Sequence, residues 1–451
     1  FDRKWDLFSN VNYEFITRNF KTIERFRNIE FLRDWNLQNQ TQLSNENQSF
    51  FTGGFKLLNE TQGQIVYQFQ NLSFGEAYRG NRNILQTNYD FNNTHIQWEG
   101  SFLKGNSKIE HSSFLRSYLR VQKEIGDYWV GLKSVFESNK IKDFDEIYDP
   151  LSHELFDING YVGVGDSTKS FVQLGYLYQK VDSVNQNNLE KVNHAHNFTL
   201  EGIWRPFQRS EINFNVNYRQ VTPVKEKREE TLNARLMYNQ FLWRDFVHFN
   251  FTYQTKSGVL PQQDFSYVEV EPGKGFYTWI DFNGNDIQEL DEFVVASFPD
   301  EAIYIRVLLP NLNYINSHEN SLSQSLNIQA RSWQNQVGLK KVISHFSNQF
   351  YYLIRSNEKR GEGNVNFNPF SIDEENLLSL DNQIRNSFFF NRGLQKYSTG
   401  YIYSEGRKKN FFLIDDQDLS VQNHQIIFNH RFNTFWLFEM NGDLGKTISD
   451  S

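Results

Sequence analysis

The feature that most restricts how this chain can fold is a strict period-two alternation. In Glu211 to Gln220, Ile212, Phe214, Val216 and Tyr218 fall on one side of an extended backbone, and Asn213, Asn215, Asn217 and Arg219 fall on the other. In Phe246 to Tyr253, Val247, Phe249, Phe251 and Tyr253 oppose His248, Asn250 and Thr252. Because successive side chains of a strand point to opposite faces, each stretch reads as a strand with one apolar and one polar face. Comparable stretches recur at Gln64 to Gln70, Asn83 to Phe91, His95 to Leu103, Phe114 to Lys123, Tyr128 to Glu137, Phe171 to Lys180 and His196 to Trp204. Their expected lengths cluster near the roughly nine to eleven residues that a tilted strand needs to cross a bilayer. Strands of soluble sheets more often run to about five or six.

Composition agrees with that pattern. Aromatic residues make up 16% of the 451, with 43 Phe and 22 Tyr, while hydrophobic residues reach only 38%. Aromatic richness without overall hydrophobicity is expected where apolar and polar faces alternate and aromatic girdles mark membrane interfaces. There is no cysteine, so disulfides, thiolate zinc sites and cysteine nucleophiles are excluded. The formal net charge of -8, with no long basic stripe interleaved with aromatics, argues against nucleic acid as a partner. No apolar run approaches the length of a transmembrane helix, which leaves a transmembrane barrel open. Phe1 is not a start residue and no signal peptide is visible, so the sequence reads as a processed chain or a fragment, and its polar C-terminal end reads as truncated.

The expected fold class is all-β: an antiparallel transmembrane β-barrel of roughly 18 to 22 strands with a long structured loop insertion. Residues 1–256 read as an antiparallel meander forming the first part of the barrel, 257–316 as the insertion, and 317–451 as the remaining strands. Longer polar connections are expected at Lys140 to Ser152, Asp182 to Asn193, Thr222 to Glu230 and Ser257 to Asn316, with a short amphipathic helix within Gly338 to Phe346. A Lys or Arg facing lipid at mid-bilayer costs about 2 to 4 kcal/mol, so charges should share the parity of Asn and Gln. Arg219, Glu201, Lys133 and Glu137 do; Arg116 and Arg120 share a face with Phe114 and Tyr118, which places those aromatics on the lumen side or at the interface.

One stretch carries ligand chemistry. Asp281, Asn283 and Asn285 alternate, Ile287 can offer its carbonyl, and Glu292 comes eleven residues after Asp281, the spacing of a twelve-residue calcium loop. These five are the candidate metal ligands, and calcium is the expected cofactor. Asp286 stands where such loops carry glycine, and flanking short strands at Phe276 to Ile280 and Phe293 to Val295 replace the usual helices. A metal-free, hydrogen-bonded Asx loop is the alternative. His194 and His196 lie on one face and could meet a metal, although a loop-to-strand boundary is the blander and preferred account. Gly163 to Lys169 lacks the order of a phosphate loop and reads as a hairpin turn. No set of Ser, His and carboxylate is placed together, so no enzyme activity is expected.

The segment Gly275-Phe276-Tyr277-Thr278-Trp279-Ile280-Asp281-Phe282-Asn283-Gly284-Asn285, followed by Ile287 to Phe293 and Ala302 to Val307, resembles a pattern in large, mostly uncharacterised Bacteroidetes envelope proteins of flavobacterial type. The loop is also similar to calcium loops of bacterial surface adhesin repeats, which implies Asp281, Asn283, Asn285 and Glu292 as side-chain ligands. The resemblance implies an outer-membrane location and little about activity. From the width of the expected barrel, the expected function is transport across, or assembly of, the outer membrane, with outer-membrane lipid and other envelope proteins as partners. The alternative is a non-spanning surface or periplasmic β-protein that binds glycans or proteins.

Overall fold

The computed structural model describes residues 5–450 apart from 21–26, 28–29, 38–45, 167, 226, 244–245, 272, 282–287, 289–291, 297, 299, 331–332, 362–365, 394–395 and 411–416; for 261–265, 308–314 and 450 only the backbone is described. The chain divides into two compact units, Phe1–Ala234 and Arg235–Ser451. Twenty-one strands occur among the described residues, two of them three-residue pieces. The architecture is all-β and antiparallel, as the alternation requires.

The first unit holds β1 (Asp6–Ile16), the helical turn α1 (Phe31–Asp34), β2 (Gln48–Asn59), β3 (Gly63–Phe74), β4 (Tyr78–Phe91), β5 (Thr94–Ser107), β6 (Glu110–Ile125), β7 (Tyr128–Asp143), β8 (His153–Asp166), β9 (Ser170–Asn185), β10 (Asn188–Trp204) and β11 (Ser210–Pro223). Each strand pairs antiparallel with the next, from β1 through β11. Two of the turns show how the sequence closes them. Asn92 and Asn93 (φ 47° and 57°), and likewise Gln186 and Asn187 (φ 46° and 62°), adopt left-handed backbone at both central positions, the geometry that matches strand twist and that asparagine tolerates. The β8–β9 turn confirms Gly163 to Lys169 as a hairpin: Gly165 sits at φ 111°, and the Asp166 carboxylate accepts from Thr168 N at 2.8 Å and Thr168 Oγ1 at 2.7 Å. Those donors, with Lys169, hold the Asp166 carboxyl down at about 2.

The two sheet faces segregate by chemistry. Val130 lies opposite Val162, Val162 opposite Leu174, Leu174 opposite Leu200 and Leu200 opposite Val216, an apolar row across five strands whose members Val162 and Leu174 are 50% and 55% exposed. On the other face Arg120 lies opposite Lys133 and Lys133 opposite Asn159. Trp129 Nε1 donates to Gln173 and Gln173 Nε2 to Glu201, at 2.8 and 2.7 Å. Phe114, Arg116 and Tyr118 share this polar face, as expected from their parity.

Strand β12 (Glu229–Leu242) crosses the boundary between the units. The second unit continues with β13 (Val247–Glu269), β14 (Tyr277–Trp279), β15 (Phe293–Val295), β16 (Tyr304–Gln329), α2 (Leu339–Ile343), β17 (Phe346–Lys359), β18 (Leu377–Phe390), β19 (Tyr397–Asn410), β20 (Gln417–Arg431) and β21 (Leu437–Asp450). Here β13 pairs with β16, and β16 through β21 pair in succession. A row of His248, Asn327, Gln349 and Ser387 runs alongside the Phe249, Leu326 and Phe350 row of opposite parity.

Three expectations are corrected. Strands β4 to β11 are 14 to 17 residues long, longer than the bilayer-crossing minimum. Their ends carry polar side chains on both faces, as at Asn81 and Arg82 of β4, so the alternation fades while the backbone ladder continues. Asp182 to Asn193 is not a long loop but the ends of β9 and β10 around a two-residue turn. Ser257 to Asn316 is not a loop throughout: β13 and β16 stay paired from Val247 opposite Ile328 out to Glu269 opposite Tyr304. The boundaries at 256 and 316 thus fall inside strands. Gly258, Pro261 and the Gln262-Gln263-Asp264 run mask the period; the register shifts between Gln263 and Phe265 and pairing resumes beyond it, because pairing uses backbone groups.

Candidate functional site

Asp281 and Glu292 lie in the segment that joins β13 to β16. There β14 pairs with β15, Tyr277 opposite Val295 and Trp279 opposite Phe293, so the expected short flanking strands are present. Their footing is aromatic: the Tyr267 and Phe293 rings stack at 4.1 Å, and Tyr304 meets Phe293 edge-on at 5.0 Å. Ile280 N donates to Glu292 O at 2.9 Å, which sets Asp281 at the neck of the hairpin beside Glu292. The Glu292 side chain is 2% exposed and accepts from Trp279 Nε1 at 2.8 Å. A carboxylate so deeply buried needs every oxygen satisfied, and an indole N–H supplies one such bond. Among the described residues no group of three or more His, Asp and Glu side chains is placed to hold a metal ion. Asn283, Asn285 and Ile287 lie outside the described residues.

A second constellation was not anticipated. The connection from β1 to β2 lays residues 30–37 on the polar face of β2 to β7. Trp35 and Leu37, each 2% exposed, join Leu72, Phe74, Tyr78, Leu103 and Phe114 in the largest buried apolar cluster among the described residues. Trp35 meets Phe50 edge-on at 5.9 Å, and Tyr78 OH donates to Trp35 O at 2.6 Å. Trp35 N bonds Phe31 O at 3.2 Å, Leu37 N bonds Leu32 O at 2.8 Å, and Asn36 takes left-handed backbone at φ 51°, which ends the turn as asparagine can.

Around that apolar anchor the contacts are ionic and polar. Arg33 Nη2 donates to both Glu137 oxygens at 3.0 Å, and His153 Nε2 lies 3.0 Å from Glu137 Oε1. Asn36 Nδ2 donates to Asn139 Oδ1 at 2.8 Å. The Asp34 carboxylate bridges two guanidiniums: Arg82 Nη1 reaches Oδ2 at 3.0 Å, and Arg116 Nη2 takes Oδ1. Each element supplies one part: β4 gives Arg82, β6 Arg116, β7 Glu137 and Asn139, and β8 His153.

No protein-family model matches the chain, and no curated protein matches its sequence. Among solved structures, the siderophore receptor PirA from Pseudomonas aeruginosa is 8% identical, with 90% of this chain and 77% of that one covered and a TM-score of 0.33. OccK5 (OpdH) from the same organism is 10% identical over 100% and 99% of the two chains, with a TM-score of 0.25. OccAB3 from Acinetobacter baumannii is 8% identical over 99% and 100%, with a TM-score of 0.26. TM-scores this low do not establish a shared architecture, so the pairing and face chemistry of the strands must carry the assignment.

The remaining candidates are structural. His194 and His196 rings sit edge-on at 5.6 Å on the side of the apolar row, and His196 Nδ1 bonds Tyr176 OH at 2.8 Å, an aromatic cluster rather than a ligand pair. A concavity of about 1020 Å³ on the apolar side is lined by Val130, Leu132, Val162, Leu174, Phe198 and Val216 among others, and a Cβ added at Gly160 in its lining would meet nothing within 4 Å. The sequence signal that would have revealed residues 30–37 is the pairing of apolar Phe31, Leu32, Trp35 and Leu37 with interleaved charges. Arg82, Arg116 and Glu137 on the polar face call for those charges.

Proposed function

We propose that the chain is the wall of an outer-membrane β-barrel that passes solutes, with residues 30–37 seated on its lumen face. The observation that supports this reading best is the segregation of faces. One face of β7 to β11 carries the apolar row of Val130, Val162, Leu174, Leu200 and Val216, while the other face of β6 to β10 carries Arg120, Lys133, Glu137, Asn159 and Glu201. A soluble protein would have to cover such an apolar face, whereas hydrocarbon solvates it. Exposed aromatics at the strand ends add interface anchors: Phe91, Tyr128, Trp204 and Phe207 along one edge of the first unit, and Trp243, Tyr397, Phe432 and Trp436 along one edge of the second. The other edge of the first unit carries the longer connections 17–47 and 144–152, in keeping with the short-turn and long-loop ends of such barrels. The calcium-loop hairpin then serves as a clamp on the longest hairpin, with Asp281 and Glu292 at its neck.

The absence of cysteine makes a labelling test clean. Single cysteines replace Leu132 or Leu174 on the apolar face and Lys133 or Asn159 on the polar face, and each protein is reconstituted into liposomes. A water-soluble, membrane-impermeant maleimide should modify Lys133→Cys and Asn159→Cys and spare Leu132→Cys and Leu174→Cys. A bulky adduct at Lys133→Cys should also slow solute flux. Equal modification of all four positions, or a chain that stays soluble and monomeric without detergent, would instead point to a non-spanning β-protein that uses its aromatic faces to bind glycans or proteins.

A further inference from the structure

On the reading of the polar face as a lumen, we infer that Arg82 and Arg116 form a binding site for carboxylate ligands, and that Asp34 is its built-in occupant. The two guanidiniums project from β4 and β6 toward the same point, and each takes a different oxygen of one carboxylate. Guanidinium forks match the planar shape of a carboxylate, which makes paired arginines a recognition device for that group. Asp34 comes from outside the sheet, on the α1 turn, and it fills the site incompletely. Arg82 Nε is buried without a hydrogen-bond partner, and a buried donor left unpaired is a cost that a better-fitting anion removes. The site is also reachable: the Asp34 and Arg116 side chains are about a fifth to a quarter exposed, at 21% and 26%. Glu99 also acts on Arg82 from further off, so an added carboxylate enters by displacing Asp34 rather than by meeting surplus positive charge. Arg120 lies four residues beyond Arg116 on the same face of β6 and places a further cation along the sheet.

The linkage is reciprocal: a carboxylate that competes with Asp34 must loosen residues 30–37, and weakening Asp34 must strengthen carboxylate binding. This separates a binding site from a merely structural ion pair, whose removal would loosen the segment and create no affinity. The test uses the full chain in detergent with succinate as probe, by equilibrium dialysis at fixed ionic strength. Asp34→Asn should bind succinate at least about fivefold more tightly than the unmodified chain, and adding Arg82→Gln to Asp34→Asn should abolish the gain. Because Asp34→Asn could disturb folding, a second measurement keeps Asp34: Leu37→Cys, whose position is buried, should react with maleimide faster in succinate than in chloride of equal ionic strength. No gain in Asp34→Asn, a gain that survives Arg82→Gln, or chloride or inorganic phosphate accelerating Leu37→Cys as well as succinate would each overturn the carboxylate site. If those results fail while the two sheet faces still label differently in liposomes, the site falls and the barrel reading stands; if the faces label alike, the barrel reading itself is lost.

Discussion

At Gly80 the sheet gives up a side chain so that the indole of Trp35 can lie against the β4 backbone. A Cβ there would come within 2.9 Å of Trp35 Cε3 and 2.6 Å of Tyr78 OH, distances that a well-packed cluster cannot absorb without displacing the ring. The apolar anchor, the ionic contacts of Arg33 and Asp34 and the Asn36 hydrogen bond to Asn139 hold the same eight residues by different means. Removing the anchor should therefore release the segment while leaving the strands paired. Trp35→Ala should cost about 3–5 kcal/mol of docking, the usual penalty for deleting a large buried aromatic, and Gly80→Ala should have the same direction with a smaller effect. Limited trypsin digestion reads the outcome as faster cleavage after Arg33, with the rest of the sheet still resistant. Unchanged cleavage in Trp35→Ala would mean that residues 30–37 are not anchored through the indole.

At the level of elements, the described aromatic footing of the segment between β13 and β16 is the group of Tyr267, Tyr277, Phe293 and Tyr304 rings, and a cation at its neck would add order there. The proposed calcium site supplies that order through Asp281 and Glu292. Replacing both with alanine should make Ser257 to Asn316 more sensitive to protease than the unmodified chain only when calcium is supplied, whereas Trp279→Phe, which removes the indole donor to Glu292, should act with or without the metal. Identical cleavage of the unmodified chain with and without calcium would remove the clamp. The same hairpin shows how far the sequence could be read. Ile212 to Arg219 and Val247 to Tyr253 announced their strands because each face was chemically pure. Ser257 to Glu269 hid its strand because Gly258, Pro261 and a polar run erase the period, while backbone pairing persists. Phe276 to Ile280 and Phe293 to Val295 were readable as short strands around the ligand spacing. Residues 30–37 were not readable as a docked segment, since Arg33 and Asp34 look like a solvated helix face until Arg82, Arg116 and Glu137 are seen waiting across a distance of many residues.

For the molecule as a whole, the question is which solvent each face meets, and charge insertion answers it with a sign as well as a size. Tyr128 marks the rim of β7, and Leu132 lies four residues further in, roughly 13 Å at about 3.3 Å per residue. That is near the middle of an apolar band about 25 Å tall. An arginine facing lipid at that depth costs about 2–4 kcal/mol, falling to about 0–1 near the interface. Leu132→Arg and Leu174→Arg should therefore each destabilise the protein by that larger amount in liposomes, and Tyr128→Arg by the smaller. Asn159→Arg, on the face that already carries Lys133, should be close to neutral, because a lumen hydrates the new charge. Urea titration of the reconstituted variants, followed by the compact mobility that folded barrels keep on unheated gels, gives the four values on one scale. A gradient from Leu132 to Tyr128 together with tolerance at Asn159 is a pattern that only a bilayer produces. A soluble sheet with a covered apolar face would penalise Leu132→Arg and Leu174→Arg without any dependence on distance from the strand end, and comparable losses at Leu132, Tyr128 and Asn159 would rule out the membrane-spanning reading.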